Sequence, residues 1–387
     1  MPVPDEPSGV DGHPLESTDW ARNQGSIGWD WFDVLRWGIL AAVIVAAISD
    51  TVLVDEWNVL PVSMDVFDWL LVIALTVALV VSAPVLCNRD RLRWHLSRYP
   101  TDLPSVFGLV VVGLVFLVGF LGPFFVPEPT EAFDRLNQPP LLLSVDESLV
   151  SSCLGEQRGG VCHGTMDHPF GTDRWGMDVL TYVVYSTRTT LEMIVLVAMI
   201  AVPIATLVGT AAAYGGGWID SVLMRYVDVQ MVVPAFFIYF VLYFTYGPSH
   251  TMLIAVFGLF SWGGIARAVR LEVLRVRQEA YVSAAKAAGA STRARILDHV
   301  FPNVTGVIVV SMTIQIPFLI VAEASLSFLG LGDAYVYSWG DIIRRGLEDI
   351  HLRAWIPAIP GIALTVTVLG CYLLGDALQQ MFDPRTR

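Results

Sequence analysis

The side chains best suited to metal binding or covalent cross-linking lie together in one polar segment, residues 127–190. Cys153 and Cys162 are close in sequence there, and His163 and His168 follow them. Thiolates and imidazoles bind transition metals, but cysteine-based metal sites usually show a paired Cys-x-x-Cys spacing, which this segment lacks. We therefore predict no metal site. A Cys153–Cys162 disulfide is the favoured interpretation, and two free thiols are the alternative.

Familiar catalytic motifs are missing from the sequence. A phosphate-binding Walker loop requires Gly-x-x-x-x-Gly-Lys-Ser/Thr, and the single lysine of the chain, Lys286, lies between alanines. Neither His-Glu-x-x-His nor Gly-x-Ser-x-Gly occurs. We predict that the chain has no catalytic residue, binds no cofactor of its own and is not an enzyme. Any work that it performs must then draw energy from another protein.

Small side chains give residues 279–303 an unusual pattern for a connecting segment. Several alanines follow Glu279, and Gly289 can adopt the left-handed conformation that ends a helix. Ser291 is a good N-cap for a second helix, which we expect Pro302 to close. The segment is predicted to present a small-residue surface to another protein, and an alanine-rich loop is the alternative. The alanines of this surface are Ala284, Ala285, Ala287 and Ala288.

The elements that carry these segments are long apolar runs. Of the 387 residues, 55% are hydrophobic and 15% are charged, and the mean hydropathy is +0.60, which is unusual for a soluble chain. A helix needs about 20 apolar residues to cross a bilayer, whereas barrel strands would alternate over ~10 residues. The pattern predicts an all-α, polytopic membrane protein with about eight transmembrane helices. The predicted spans are 35–54, 69–87, 104–126, 191–214, 230–246, 251–269, 305–328 and 356–374.

The distribution of arginine predicts which loops are cytoplasmic. Residues 89–98 and 275–303 are rich in basic side chains, residues 55–68 have none, and residues 127–190 hold nine acids against four arginines. Basic loops favour the cytoplasm, so we expect residues 127–190 outside and both termini inside a multi-pass plasma-membrane protein.

This topology divides the chain into four parts. They are a tail (1–34), an extra helical pair (35–102), a first core helix with an external loop (103–190) and a core (191–387) containing the cytoplasmic loop 275–303.

The charge balance adds two further expectations. The polar N-terminal tail has no basic region before an apolar run, so it is predicted to be disordered rather than a signal peptide. A net charge of −13 with one lysine indicates a cell with high internal salt, where acidic surfaces repel weakly. A genome that favours arginine codons is the alternative. We expect lipid around the spans and no nucleic-acid partner.

The order of several motifs resembles the dipeptide/oligopeptide permeases of binding-protein-dependent ABC importers. The run from Glu279 to Gly289, followed by Pro302 and Asn303, resembles their "EAA" coupling loop, although Ser283 stands where that motif has its own glutamate. The resemblance covers roughly residues 104–387 and is to the C-type subunit, with Met177 in place of an arginine. The other matching runs are His168–Asp173, Trp175–Leu180, Gly216–Asp220, Met224–Asp228, Ala266–Arg270, Glu323–Gly332, Ser338–Gly340, Leu374–Leu378 and Asp383–Arg385.

The resemblance implies a permease subunit that imports peptides. It implies a homologous second permease subunit, two ATP-binding subunits that use ATP and Mg, and an extracellular solute-binding protein. The loop 275–303, here called the coupling segment, would dock on an ATP-binding subunit through Glu279, Ala284, Ala285, Gly289 and Pro302. A nickel chelate or another small solute is the alternative cargo, and a membrane-embedded enzyme or a receptor is the alternative class of function.

Polar or kinking residues inside the predicted spans have two interpretations. Glu323 and Pro317 in span 305–328 could line the translocation path or act as a gate, because intramembrane acids usually face protein or water. We favour a structural role for Glu323, whereas packing explains Pro317 equally well. Asp220, Arg225 and Asp228 at the inner membrane boundary could also gate the path, but a network that fixes the cytoplasmic turn is favoured.

Overall fold

A computed structural model of the chain describes residues 31–53, 66–89, 93, 96–348 and 350–382. Most of the predicted tail, much of the first external connection and the Asp383–Arg385 motif lie outside the described residues. The principal helices, in chain order, are α1 Trp31–Leu53, α2 Val66–Leu86, α3 Leu103–Phe125, α4 Val179–Gly215, α5 Gly217–Val232, α6 Ala235–Tyr246, α7 His250–Phe260, α8 Gly263–Val276, α9 Ala280–Ala287, α10 Phe301–Phe328, α11 Trp339–Leu347 and α12 Trp355–Phe382.

Six helical segments of the described chain are long and apolar enough to cross a membrane. They lie in α2, α3, α4, α7 with α8, the continuous run that includes α10, and α12. The pair α5 and α6, bent by 63° at a short break, adds a seventh if it counts as one span. The predicted helical membrane fold is therefore confirmed. The predicted span 35–54 coincides with α1, which is not among these segments, so the number eight stays a prediction.

Helix α4 begins at Val179, well before the predicted span 191–214. Its first turns are polar, so the hydropathy of the sequence does not detect them. Asp178 caps the helix by accepting a hydrogen bond from the backbone N–H of Leu180 at 2.7 Å. Thr187 then donates its hydroxyl to the carbonyl of Val183 at 2.7 Å, so a polar side chain is satisfied within the helix. Hydropathy alone misses such a helix start. The predicted boundary at residue 190 falls inside this helix.

Residues 127–178, which the arginine distribution predicts to lie outside the membrane and which are called the external segment below, contain a small three-stranded antiparallel sheet. Its strands are β1 Ser144–Asp146, β2 Gln157–Arg158 and β3 Val161–His163, in the order β1-β3-β2. The inward side chain Val145 and the fully buried Cys162 pack with the start of α4 and with Trp355 of α12. The sheet is thus fastened to the first turns of two membrane helices, α4 and α12.

The extra helical pair is attached to the core by polar contacts that hydropathy could not predict. Trp69 of α2 donates its indole N–H to Asp50 of α1 at 2.7 Å. Asp68 forms an ion pair with Arg188 of α4, and both side chains are largely buried. The ring of Phe67 lies edge-on to His250 at the start of α7, with centroids 5.2 Å apart. Helix α2 therefore packs against α4 and α7, and α1 is joined to α2.

Candidate coupling segment and the elements that position it

The sharp turn predicted at Gly289 is present in the structure. Helix α9 begins after Glu279, and Gly289 has φ +88°. The backbone N–H of Ala290 donates to the carbonyl of Ala285 at 3.0 Å, and the backbone N–H of Gly289 donates to the carbonyl of Lys286 at 3.1 Å. These bonds form the Schellman pattern that satisfies the last carbonyls of a helix. Glycine fits the turn because a Cβ is disfavoured at positive φ.

The predicted ending of the second helix at Pro302 is wrong. Ser291 does act as an N-cap, since its hydroxyl accepts the N–H of Ala294 at 3.2 Å. The helix then runs through a π-helical turn, Arg295–Val300, into α10. Pro302 lies in the first turn of α10, where its missing N–H does not end the helix because the wider π turn precedes it. The coupling segment is consequently continuous with a membrane span.

One buried side chain anchors α9. Val282 has a relative exposure of 1% and packs in a hydrophobic cluster with Val273 and Val276 of α8. Tyr281 accepts a hydrogen bond from Asn303 at 3.2 Å and so ties α9 to α10. Ala285 is half-buried. The residues of the exposed surface are Ser283, Ala284, Lys286, Ala287, Ala288 and Gly289.

Arginines on α8 connect the coupling segment to the neighbouring helices. Arg270 donates to both carboxylate oxygens of Asp220, with Nε 2.5 Å from Oδ1. Arg267 pairs with Asp228, which lies farther along α5. Arg277 donates to the carbonyl of Ala213 at 2.6 Å, close to the C-terminal end of α4. This geometry favours the network interpretation of Asp220 and Asp228.

The two cysteines of the external segment are joined by a disulfide bond. Cys162 is buried in β3, and Cys153 lies beside it in the preceding loop. His168 contacts Asp178, the capping residue of α4, with Nδ1 and Oδ2 2.5 Å apart. The structure therefore gives His168 a structural partner.

Asp173 organises the external turn that leads into α4. One carboxylate oxygen accepts the backbone N–H groups of Trp175 and Met177, both at 2.9 Å. The side chain is buried, and this burial raises the pKa of Asp173 above its ordinary value, although the two hydrogen bonds oppose the shift. The motif His168–Asp178 is thus a compact, internally bonded turn.

Glu323 and Pro317 are both buried in α10. Glu323 accepts a hydrogen bond from the hydroxyl of Ser327 at 2.9 Å, one turn later in the helix. It lines a cavity of only about 10 Å³, beside His250 and Asp333. That volume holds about one water molecule rather than a solute. The geometry favours the structural interpretation of Glu323, and the path or gate role of both residues remains a prediction.

The chain has the sequence signature of a known transport family. The model for the binding-protein-dependent transport system inner membrane component matches residues 179–387, more than half of the chain. The chain belongs to this family. The match spans the helices from α4 to α12 together with the whole coupling segment, whereas the extra helical pair and the external sheet precede it.

Individual relatives extend the similarity toward the N-terminus. The dipeptide transport system permease protein DppC of Bacillus subtilis is 34% identical over 287 residues, which is 73% of this chain and 82% of the relative. A putative peptide transport system permease protein of Brucella abortus is 35% identical over 309 residues, or 79% and 93% of the two chains. The oligopeptide transport system permease protein OppC of Escherichia coli is 31% identical over 291 residues, or 75% and 90%.

Membership in this family makes the chain a multi-pass membrane component of a transport system.

Several polar contacts between its helices could not be predicted from the sequence. Arg277 and the Asp68–Arg188 pair gave no motif signal, although an acid and an arginine beside apolar runs could have marked them. Gln230 and Gln315, polar residues inside predicted spans, were also overlooked, and both contact backbone carbonyls of another helix.

Proposed function

We propose that this chain is a membrane-spanning permease subunit of an ATP-driven importer that carries peptides into the cell. The observation that carries the proposal is the coupling segment, a short helix fastened to a membrane span by Val282 and exposing small side chains. The relatives are dipeptide and oligopeptide transport permeases, which supports peptides as the cargo. A nickel chelate or another small solute is the competing cargo.

The proposal requires partners that supply energy and solute. A homologous permease subunit would complete the path, and two ATP-binding subunits would bind ATP and Mg. An extracellular solute-binding protein would deliver the solute, in keeping with the description of the family. This chain would act as the mechanical element and carry out no catalysis. ATP binding can shift the permease only through its different affinity for the two states of the transporter.

The arginine asymmetry supports an orientation with both termini in the cytoplasm. An impermeant thiol reagent applied to intact cells should label a cysteine introduced at Leu142, which is 92% exposed in the external segment. It should not label a cysteine at Arg89, which is exposed in the loop between the second and third predicted spans. The reverse pattern, or equal labelling, would contradict the topology and the position of the ATP-binding subunits.

The function is tested by transport with defined components. The chain would be purified with its permease partner, ATP-binding subunits and solute-binding protein, and placed in vesicles that hold ATP. We expect ATP-dependent uptake of a labelled dipeptide or oligopeptide. Preferential uptake of a nickel chelate would identify that solute, rather than a peptide, as the cargo. Assembly of the complex without flux of any solute would favour a receptor over a transporter. Vesicles without the solute-binding protein are the control.

A further inference from the structure

A cavity of about 330 Å³ lies between the extra helical pair and the core, on the same side of the chain as the external segment. It is called the Tyr185 cavity below. Helix α2 contributes Phe67 and Asp68 to its wall, and Glu128 of the external segment contributes a further side chain. These three residues precede residue 179, where the match to the family model begins. The cavity is therefore built partly from elements outside the region that defines the family.

The Tyr185 cavity is large enough for a small molecule and open to solvent. Its volume lies in the range of small-molecule sites, whereas the cavity beside Glu323 holds about one water molecule. The start of α7 and the loop between α10 and α11 complete the wall. Tyr335 of this loop and Glu128 both line the cavity and are exposed. A ligand could thus enter without unfolding a helix.

Acidic side chains outnumber basic ones in the wall of the cavity. Among the described residues that line it, one is an arginine, Arg188, and three are acids, Asp68, Glu128 and Glu192. Arg188 already serves two of these acids, because it pairs with Asp68 and its Nε donates to Glu192 at 3.0 Å. These paired side chains are largely buried, and low-dielectric walls strengthen the field of the surplus acid. The charge balance therefore favours a cation as the ligand.

Two tyrosine rings form a corner of the same cavity. The ring planes of Tyr185 and Tyr337 are 75° apart, and their centroids are separated by 5.6 Å. The hydroxyl of Tyr337 donates to Glu128 at 3.1 Å, and that of Tyr185 donates to the carbonyl of Val126 at 3.4 Å. These bonds fix the rings beside a carboxylate. Aromatic faces attract cations through the ring quadrupole, and cages of such rings recognise methylated ammonium groups.

The wall suits a methylated ammonium group better than a metal ion or a primary amine. Among the described residues, no group of three or more His, Cys, Asp or Glu side chains is arranged to hold a metal ion. A primary amine carries three hydrogen-bond donors that need acceptors, whereas a fully methylated ammonium group carries none. In this cavity the carboxylates already accept bonds from Arg188 and Tyr337. Charge and ring faces are then the attractions that the cavity offers most readily.

We propose that the Tyr185 cavity binds a small organic cation with a methylated ammonium group, held by the rings of Tyr185 and Tyr337 and by the surplus acid. Such a ligand would contact α2, α4 and the loop before α11 together, so its binding would stabilise the attachment of the extra helical pair. The site lies apart from the coupling segment. The proposal does not depend on which solute the transporter carries.

The first test compares two ligands of the same shape. Choline would be titrated into the full-length protein, purified from membranes, and the heat of binding recorded. Its carbon isostere, in which a quaternary carbon replaces the nitrogen, is the uncharged control. We expect choline to bind at least about tenfold more tightly than the isostere and to raise the thermal midpoint. Added salt should weaken the binding of choline because it screens the acids.

The second test assigns the binding to this cavity. Tyr185→Leu removes one ring and should lower the affinity for choline about tenfold, whereas Tyr185→Phe keeps the ring face and should bind almost normally. Glu128→Gln changes an exposed side chain, so it should leave folding intact while lowering the affinity and its dependence on salt. Glu156→Gln is the matched control, because Glu156 is an exposed acid of the external segment that pairs with Arg158 outside the cavity.

Three outcomes would overturn the proposal. The first is no measurable binding of choline, which is the result expected of a cavity that holds only water. The second is equal affinity for choline and its isostere. The third is full affinity for choline in Tyr185→Leu or, if that variant does not accumulate, in Glu128→Gln.

Discussion

The two segments outside the membrane are held in opposite ways. The external segment is closed on itself by paired strands, by the Cys153–Cys162 disulfide and by the buried, hydrogen-bonded Asp173. Within the coupling segment, α9 has one buried side chain, Val282, and is otherwise mostly exposed. A segment that satisfies its own polar groups can hold its shape alone, and we call the external segment the external platform for this reason. A helix that exposes small side chains is suited to close contact with another protein. The contrast predicts that mutations outside will affect folding and mutations inside will affect coupling.

The largest effect is expected at Gly176 in the external turn. This residue has φ +75°, and a Cβ there would lie 1.8 Å from the carbonyl oxygen of Ala132. Gly176→Val combines backbone strain with a clash against backbone, and should destabilise the chain by about 3 kcal/mol or more. Membrane abundance, measured by immunoblot, should fall sharply. Normal abundance would show that the external platform is more pliable than its contacts indicate.

Gly289 provides the direct comparison. It also has positive φ, +88°, but among the described residues the space around its Cβ position is open. Gly289→Val should therefore cost about 1–3 kcal/mol from backbone strain alone. We expect near-normal abundance but a loss of uptake, because the turn that orients α9 is altered. Equal loss of abundance in both glycine variants would remove the distinction between the two segments.

A charged side chain on the exposed face of α9 should block the contact itself. Ala284→Arg adds a long cation where close approach needs a methyl group, and the half-buried Ala285→Arg should act similarly. Uptake should collapse, with the ATP-binding subunit lost from the purified complex or hydrolysing ATP without transport. Ala334→Arg, at an exposed alanine outside, is the matched control. Normal uptake with Ala284→Arg at wild-type abundance would refute the docking role of α9.

The disulfide should stabilise the external platform by a moderate amount. Its cysteines are nine residues apart, and closing a loop of ~10 residues gives roughly 2.5–3 kcal/mol in the chain-entropy model, less any strain. Cys162→Ser should lower the thermal midpoint of the purified complex while leaving the rate of uptake per folded complex unchanged. Mass spectrometry of the non-reduced protein should find the linked peptide. Two thiols alkylated without reduction would contradict the bond.

The smallest effect concerns Asp173. Because burial raises its pKa in the folded chain, its contribution to stability is present at low pH and is lost as the pH rises through the folded pKa. Asp173→Asn can keep both backbone hydrogen bonds, since a single oxygen accepts them. The variant should stay within about 1 kcal/mol of the wild type at neutral pH and show a flatter dependence of the thermal midpoint on pH. A steeper dependence would mean that the ionised form is the stabilised one.

The class of fold and the local shape of the coupling segment were both predictable from the amino-acid pattern alone. Apolar runs of membrane length can be recognised without knowing their partners, because a helix that crosses a bilayer satisfies most of its backbone groups within itself. The turn at Gly289 and the N-cap at Ser291 were likewise predictable, since each depends on neighbours a few residues away. The order of the motifs from residue 168 onward also indicated the binding-protein-dependent transport family, to which the chain belongs.

Which charged groups and carbonyls come into contact depends instead on how distant helices pack. Asp220 and Arg270 are 50 residues apart, and Asp68 and Arg188 are 120 apart, so no local pattern could pair them. Pro302 was predicted to end a helix because proline usually does, but the preceding π turn accommodates it. Hydropathy also failed to detect the polar start of α4, whose threonine hydroxyls bond to carbonyls within the helix and whose side chains are buried by neighbouring elements. Contacts of this kind depend on where distant helices pack, which a linear pattern does not contain.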